Sequence, residues 1–191
     1  MDVAGGLLTA FGLSASAGLN AYIPLLILAL LGRLTEWFTL RQPWDALTSW
    51  WVIGALIVLT LIEFFADKVP AVNHVNDGIQ TFVRPAAGAV LFAASTGAVS
   101  DIHPIVAMVA GLIIAGSVHT VKAAAVRPAI TATTGGAGNL PVSLAEDVVA
   151  AFVSIAAVVV PAVIAGLLIV IVSLFVWWLW RRANAIPSRT I

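Results

Sequence analysis

The chain contains no cysteine. Disulfides, thiol nucleophiles, iron–sulfur clusters and thiolate metal sites are therefore excluded. Charge is almost as scarce. Asp, Glu, Lys and Arg make up 9% of the 191 residues, against roughly 25% in soluble domains. The nine basic residues cancel the nine acidic ones, so no charge excess advertises nucleic acid or an acidic partner. What fills the chain instead is apolar: 61% of residues are hydrophobic and the mean hydropathy is +1.08. This composition predicts an all-α integral membrane protein, with residues 1–191 forming a single transmembrane domain.

The N-terminus lacks the basic region of a secretory signal, so the first apolar segment is expected to stay in the mature protein. A crossing helix needs about 20 apolar residues for about 30 Å of hydrocarbon. On that measure spans are expected over Val3–Leu31, Trp50–Val69, Ile79–Val99 and Pro104–Val126. The last apolar block, Ser143–Trp180, would extend about 60 Å as one helix at about 1.5 Å per residue. It either divides near Pro161 or continues as one long kinked helix projecting from the membrane. Division gives a compact bundle of about six transmembrane helices. Lys68, Arg84, Lys122, Arg127, Arg181, Arg182 and Arg189 then share one side against Arg33 and Arg41, which predicts both termini in the cytoplasm. Those markers lose weight if the first four line a cavity.

Residues 33–49 mix aromatics with charge and are expected to lie flat at the interface. Trp37, Trp44, Trp50 and Trp51 would form one aromatic belt, and Trp177, Trp178 and Trp180 beside Arg181 and Arg182 the other. Small residues at four-residue spacing, Ser14/Gly18, Ala93/Gly97, Ala107/Gly111 and Ala162/Gly166, predict close helix packing and a homo-oligomer such as a homodimer.

Slid along itself, the chain sets Ser16–Leu25 over Thr96–Ile105, pairing Pro24 with Pro104, and Asp67–Pro70 over Ala125–Pro128. Two readings follow. One is an internal, inverted repeat with a broken first helix, Ser16, Asn20, Tyr22 and Pro24 marking the break. The other is a kinked helix packed through small residues.

Ionisable groups inside spans are the strongest chemical signal, because each costs about 2.5 to 3.5 kcal/mol at the bilayer centre. Glu63 and Asp67, followed by Lys68, lie on one face near the end of the second span, where two acids oppose the helix macrodipole. Something cationic must face them: a transported ion, a proton or a basic side chain. His119 and Lys122 on the fourth span, with Arg127 just beyond its apolar part, offer such a partner. Thr131–Asp147 reads as a connector rich in Thr and Gly that ends in a capping box, Ser143 and Glu146, with Asp147 in the first helical turn. Its glycine turns have the makings of an anion-binding concavity. It has neither the Lys nor the spacing of a nucleotide-binding loop.

Taken in order, Ser16-Ala-Gly-Leu-Asn20-Ala-Tyr22-Ile-Pro24, Glu63-Phe-Phe-Ala-Asp67-Lys68-Val-Pro70, Asp77 to Arg84-Pro85, His119-Thr-Val-Lys122 with Arg127-Pro128, and Thr133 to Asp147 resemble a bacterial membrane family known as domain of unknown function 4126. The resemblance covers nearly the whole chain and implies that these polar residues form one site, in a bacterial inner membrane protein. It implies no substrate. In similar sequences Asn and Pro are adjacent, whereas here Leu140 separates Asn139 from Pro141.

The expected function is a transporter or channel for an ion or small charged solute. Its pathway is formed by Glu63, Asp67, Lys68, Arg84, His119, Lys122, Arg127, Asn139, Glu146 and Asp147, with acidic helix two facing basic helix four. The alternatives are a protein that binds or flips a lipid phosphate through Arg84, His119, Lys122 and Arg127, or a structural subunit whose charges lock helices together. An enzyme is not expected: one nearby His without Cys makes a poor zinc set, and no serine has a nucleophile's surroundings. No cofactor or metal is expected. The expected partners are the lipid bilayer and a small ion or charged solute.

Overall fold

Proline and asparagine punctuate an otherwise continuous apolar chain. The computed structural model describes residues 3–36, 39–66, 70–97 and 102–184, and every regular element among them is helical. Two helices, α1 (Val3–Leu19) and α2 (Tyr22–Leu34), precede a 3₁₀ turn at Trp44–Thr48 and α3 (Trp50–Ala66). Then follow α4 (Pro70–Gly97), α5 (Pro104–Val121), a π-helical turn (Lys122–Val126), α6 (Arg127–Thr134), α7 (Asn139–Val159) and α8 (Pro161–Asn184). Pro70, Pro104 and Pro161 open α4, α5 and α8, while Pro24 and Pro141 fall in the first turns of α2 and α7. A proline there removes no hydrogen bond, because first-turn N–H groups have no acceptor within the helix. His103 caps α5, its Nδ1 accepting from the Ile105 amide at 3.3 Å.

From Pro104 to Thr134 the backbone is one continuous helix of 31 residues, and this helix and the 21-residue α7 are each long and apolar enough to cross a membrane. α1, α2 and α3 are apolar but shorter, at 17, 13 and 17 residues.

The packing leaves many large apolar side chains exposed around a centre rich in small and polar ones. α1 is the central helix, with α4, α5, α7 and α8 around it. Its buried positions are Gly6, Thr9, Ala10, Gly12, Leu13, Ser14, Ala15, Ser16, Ala17 and Gly18, all small except Leu13. Such side chains let backbones approach closely and leave their hydroxyls to bond across helices. Thr9 donates to the Ala157 carbonyl at 2.9 Å, Ser14 to Gly88 at 3.0 Å and Ser16 to Ala150 at 2.8 Å. The largest fully buried side chain among the described residues is Arg84, whereas Trp51, Phe82 and Phe152 are 91%, 79% and 70% exposed. Apolar bulk on the outside and polar groups within is the distribution expected of a protein whose solvent is hydrocarbon.

Several expectations change. The third span was placed at Ile79–Val99, yet α4 starts nine residues earlier, at Pro70. Hydropathy skipped its first turns because Asn73, His74, Asn76 and Asp77 are polar, although a polar segment forms helix readily when proline opens it. The fourth helix does not end at Val126 but runs to Thr134. The Thr131–Asp147 connector shrinks to the turn 135–138, where Gly135 and Gly136 take left-handed backbone angles of φ 60° and 92° that only glycine adopts without strain. Ser143 and Glu146 do not form a capping box, because α7 already begins at Asn139 and both lie inside it.

The block from Ser143 to Trp180 divides at Val160, whose φ of −136° and ψ of 65° are not helical. Trp44, expected in a belt, is half-buried against the core and lies over Gly97. Trp177 and Trp178 are exposed, with the Arg181 and Arg182 guanidinium groups 4.7 Å from their ring centres. Trp37, Ala98–Asp101 of the second repeat copy, and Arg189 lie outside the described residues.

Close approach is tightest where α4 crosses α5. A Cβ added at Gly88 would stand 2.7 Å from the Gly111 carbonyl oxygen, and one added at Gly111 would stand 2.6 Å from the Phe92 Cβ. Gly88→Ala and Gly111→Ala are each expected to lower stability by about 1 to 3 kcal/mol through overpacking. Thermal unfolding of the purified variants in detergent checks this, and Gly54→Ala, where an added Cβ meets nothing within 4 Å, is the neutral control.

Candidate functional site

A helix that stops inside an apolar bundle leaves carbonyl and amide groups that must find partners. α1 stops at Leu19 and α2 starts at Tyr22, with Asn20 buried between them. Asn20 Oδ1 accepts from the Tyr22 and Ile23 amides at 3.1 and 3.0 Å, capping α2, while its Nδ2 donates to Asp147 Oδ1 on α7 at 3.0 Å. On the other side of the break, Lys122 Nζ donates to the Leu19 carbonyl at 3.0 Å. A cation at the carbonyl end of α1 complements the helix dipole, as does a carboxylate at the amide end of α2. The break is thus held by charged groups from two other helices.

The π-helical turn explains how one helix delivers two cations to one acid. The Arg127 amide bonds to the Lys122 carbonyl, closing a turn one residue wider than an α-helical one. Five-residue closure stacks Lys122 and Arg127 on one side, where an α-helix would splay them. The sequence reason is Pro128, which lacks an N–H and would clash with the carbonyl four residues back in a regular helix. Lys122 Nζ lies 2.7 Å from Glu146 Oε2, and Arg127 lies 3.8 Å from the same oxygen. Arg127 also pairs with Asp77 Oδ2 on α4 at 2.9 Å.

A second line of charge runs from α3 through α4 to α5. Arg84 donates to Glu63 Oε1 at 3.1 Å and to His119 Nδ1 at 3.2 Å, with Glu63 and Arg84 each no more than 1% exposed. A guanidinium can only donate, so Nδ1 accepts, and His119 in this arrangement is the neutral tautomer with its proton on Nε2. That proton points at Thr81 Oγ1, 3.3 Å away, and the Thr81 hydroxyl donates to the Asp77 carbonyl at 2.9 Å. Gln80 of α4 lies beside Tyr22 at the break. Arg84 Nε and Gln80 Oε1 are buried polar atoms with no hydrogen-bond partner among the described residues.

The fold therefore gathers Asn20, Tyr22, Glu63, Arg84, His119, Lys122, Arg127, Glu146 and Asp147 around one break. Others go elsewhere. Ser16 bonds to Ala150 and Ser154 within the packed bundle, and Pro24 is buried in the first turn of α2. Asn139 exchanges hydrogen bonds with Thr131 at 3.1 and 3.2 Å, closing the glycine turn. Asp67 and Lys68 lie outside the described residues. Of the expected pairing between acidic helix two and basic helix four, the described part runs through other helices: Glu63 pairs with Arg84 of α4, and Lys122 pairs with Glu146 of α7. The helix carrying Arg84 stands between them. Asp77, Gln80 and Thr81 entered only through the family resemblance and stood outside the expected pathway, although with Arg84 they follow a helical spacing of three, four and seven along α4. Reading α4 from Pro70 would have found that stripe. Among the described residues no cluster of three or more His, Asp or Glu is placed to hold a metal.

A pair buried as fully as Glu63 and Arg84 contributes little net stability, but removing one partner strands a charge. Arg84→Met is expected to destabilise by about 3 to 5 kcal/mol, and adding Glu63→Gln to recover a large part of that loss. Denaturation of the two single variants and the double variant measures this coupling; strictly additive losses would mean the pair is not formed.

A family model described as a domain of unknown function (DUF4126) matches residues 7–182. No curated protein and no solved structure matches the chain.

Proposed function

We propose, from the premise that the chain belongs to the DUF4126 family of unknown function, that it is a membrane transporter or channel for an ion or small charged solute. The observation that carries this reading is the break at Asn20, whose two helix ends are held by a buried lysine and a carboxylate from other helices. Discontinuous helices with charged groups at their ends are a recurrent way to build a solute site within a bundle. A helix interrupted only for packing has no need of ionised partners. Ionisable groups kept out of water in a bundle with an apolar exterior point the same way.

Other features favour an ion or small solute over a lipid phosphate. Arg84, Lys122 and Arg127 are each already engaged by a carboxylate. A phosphate would have to displace all three acids to reach them. Its expected setting is the bacterial inner membrane, crossed about six times, with both termini in the cytoplasm, where Arg181 and Arg182 beyond the Trp177–Trp180 aromatics favour the cytoplasmic face.

Reconstitution into liposomes tests the reading. Solid-supported-membrane currents and a lumenal pH dye are followed while cations, anions and pH are stepped. A flux is expected under one of these gradients. Glu146→Gln is expected to slow it about tenfold or more, the effect of losing roughly 1.4 kcal/mol in the limiting step. Neither current nor lumenal pH change under any gradient, from protein shown to be folded, would overturn it.

A further inference from the structure

The point where Lys122 sits is built for a cation, whatever cation occupies it. Its acceptors come from separate elements: the Leu19 carbonyl at the negative end of α1, 3.0 Å from Nζ, and Glu146 Oε2 of α7, 2.7 Å away. The side chains of Lys122 and Glu146 are 4% and 11% exposed, so the pair is largely screened from solvent. Among the described residues four carboxylates, Glu63, Asp77, Glu146 and Asp147, face three fixed cations, Arg84, Lys122 and Arg127, with His119 held neutral by its bond from Arg84. Of those three cations only the lysine can release its proton, since a guanidinium stays charged. Release leaves a carbonyl and a carboxylate facing an uncharged amine.

We propose that the Lys122 ammonium is a tethered cation, and that a free monovalent cation of the sodium or potassium class takes its place on Leu19 and Glu146 when Lys122 gives up its proton. The inference rests on the transport reading and names the species exchanged. One proton leaves Nζ for the solvent and one cation enters, so the charge between α1 and α7 is the same before and after. A monovalent ion is favoured because the resident it replaces carries one positive charge, and Arg127 already lies 3.8 Å from the same Glu146 oxygen. The groups facing Lys122 are Glu146 of α7, Arg127 of α6, Arg84 of α4 and, one turn back on its own helix, His119, with Asp77 behind Arg127 and Asp147 behind Asn20. The exchange loosens the bond from Lys122 Nζ to the Leu19 carbonyl at the end of α1, which couples the ion to the break.

The test is equilibrium binding of radiolabelled sodium and rubidium to the purified full chain in detergent, from about pH 6 to about pH 10. Wild-type affinity is expected to rise about tenfold per pH unit, one proton leaving for each cation bound. Lys122→Met is expected to bind the cation tightly at every pH, with no slope, and to gain thermal stability in sodium over choline. Lys122→Arg keeps the charge and the fold, and is expected to bind neither ion at any pH. His119→Gln is expected to retain the slope, assigning the proton to Lys122.

Wild-type protein that binds neither ion at any pH, or binds with no pH dependence, overturns the proposal. So does a folded Lys122→Met chain that binds nothing, or a Lys122→Arg chain that binds like wild type. Flux through liposomes alongside such a result would leave the transport reading standing without this one, whereas a flux-dead protein would remove the reading on which it rests.

Discussion

Backbone groups released inside an apolar bundle must be satisfied by something, and in this protein that obligation falls on the break at Asn20. The Leu19 carbonyl and the first amides of α2 flank the fully buried Asn20, so their partners have to be built in. Asn20 supplies a cap from within, while Lys122 and Asp147 supply charge from without. Each charged partner then needs its own counter-charge, because an unpaired ion in such a place is far costlier than a paired one. Glu146 answers Lys122, Arg127 shares Glu146, and Asp77 answers Arg127. The network is the consequence of interrupting one helix.

The rest of the packing serves that arrangement. Central helix α1 is made of small residues, and its neighbours come close enough for serine and threonine hydroxyls to reach their carbonyls. Where α4 crosses α5, Gly88 and Gly111 face each other with no room for a Cβ. That crossing brings Arg84, four residues before Gly88 on α4, within 3.2 Å of His119, which lies about two turns beyond Gly111 on α5. Many large apolar side chains are left for the outside, although Leu13, Leu28, Ile53 and Leu91 are buried in the core.

Local deviations from ideal helix carry the same logic. A π-helical turn adds one residue to a turn, and here it aligns Lys122 with Arg127 so that one glutamate serves both. Pro128 makes the wide turn favourable, and the chain uses it to aim charge rather than to end the helix. The transport reading and the cation inference both draw on this coincidence of an interrupted α1 and a widened α5–α6.

Composition alone determined that the chain is apolar and helical, and its prolines located the starts of α5 and α8, because proline fixes its own backbone angle and lacks a donor wherever it stands. Sequence also singled out Asn20, Glu63, Arg84, His119, Lys122, Arg127, Glu146 and Asp147, since charge and amide groups are conspicuous in an apolar chain. It misjudged the start of α4, and with it Asp77 and Gln80, because hydropathy measures membrane depth and not helix length. Only the tertiary structure decided who pairs with whom. Asn20 meets a residue 127 positions away and Lys122 meets a carbonyl 103 positions away. Such pairings depend on which helices adjoin and how each is rotated about its axis, and neither quantity is local to any stretch of the chain.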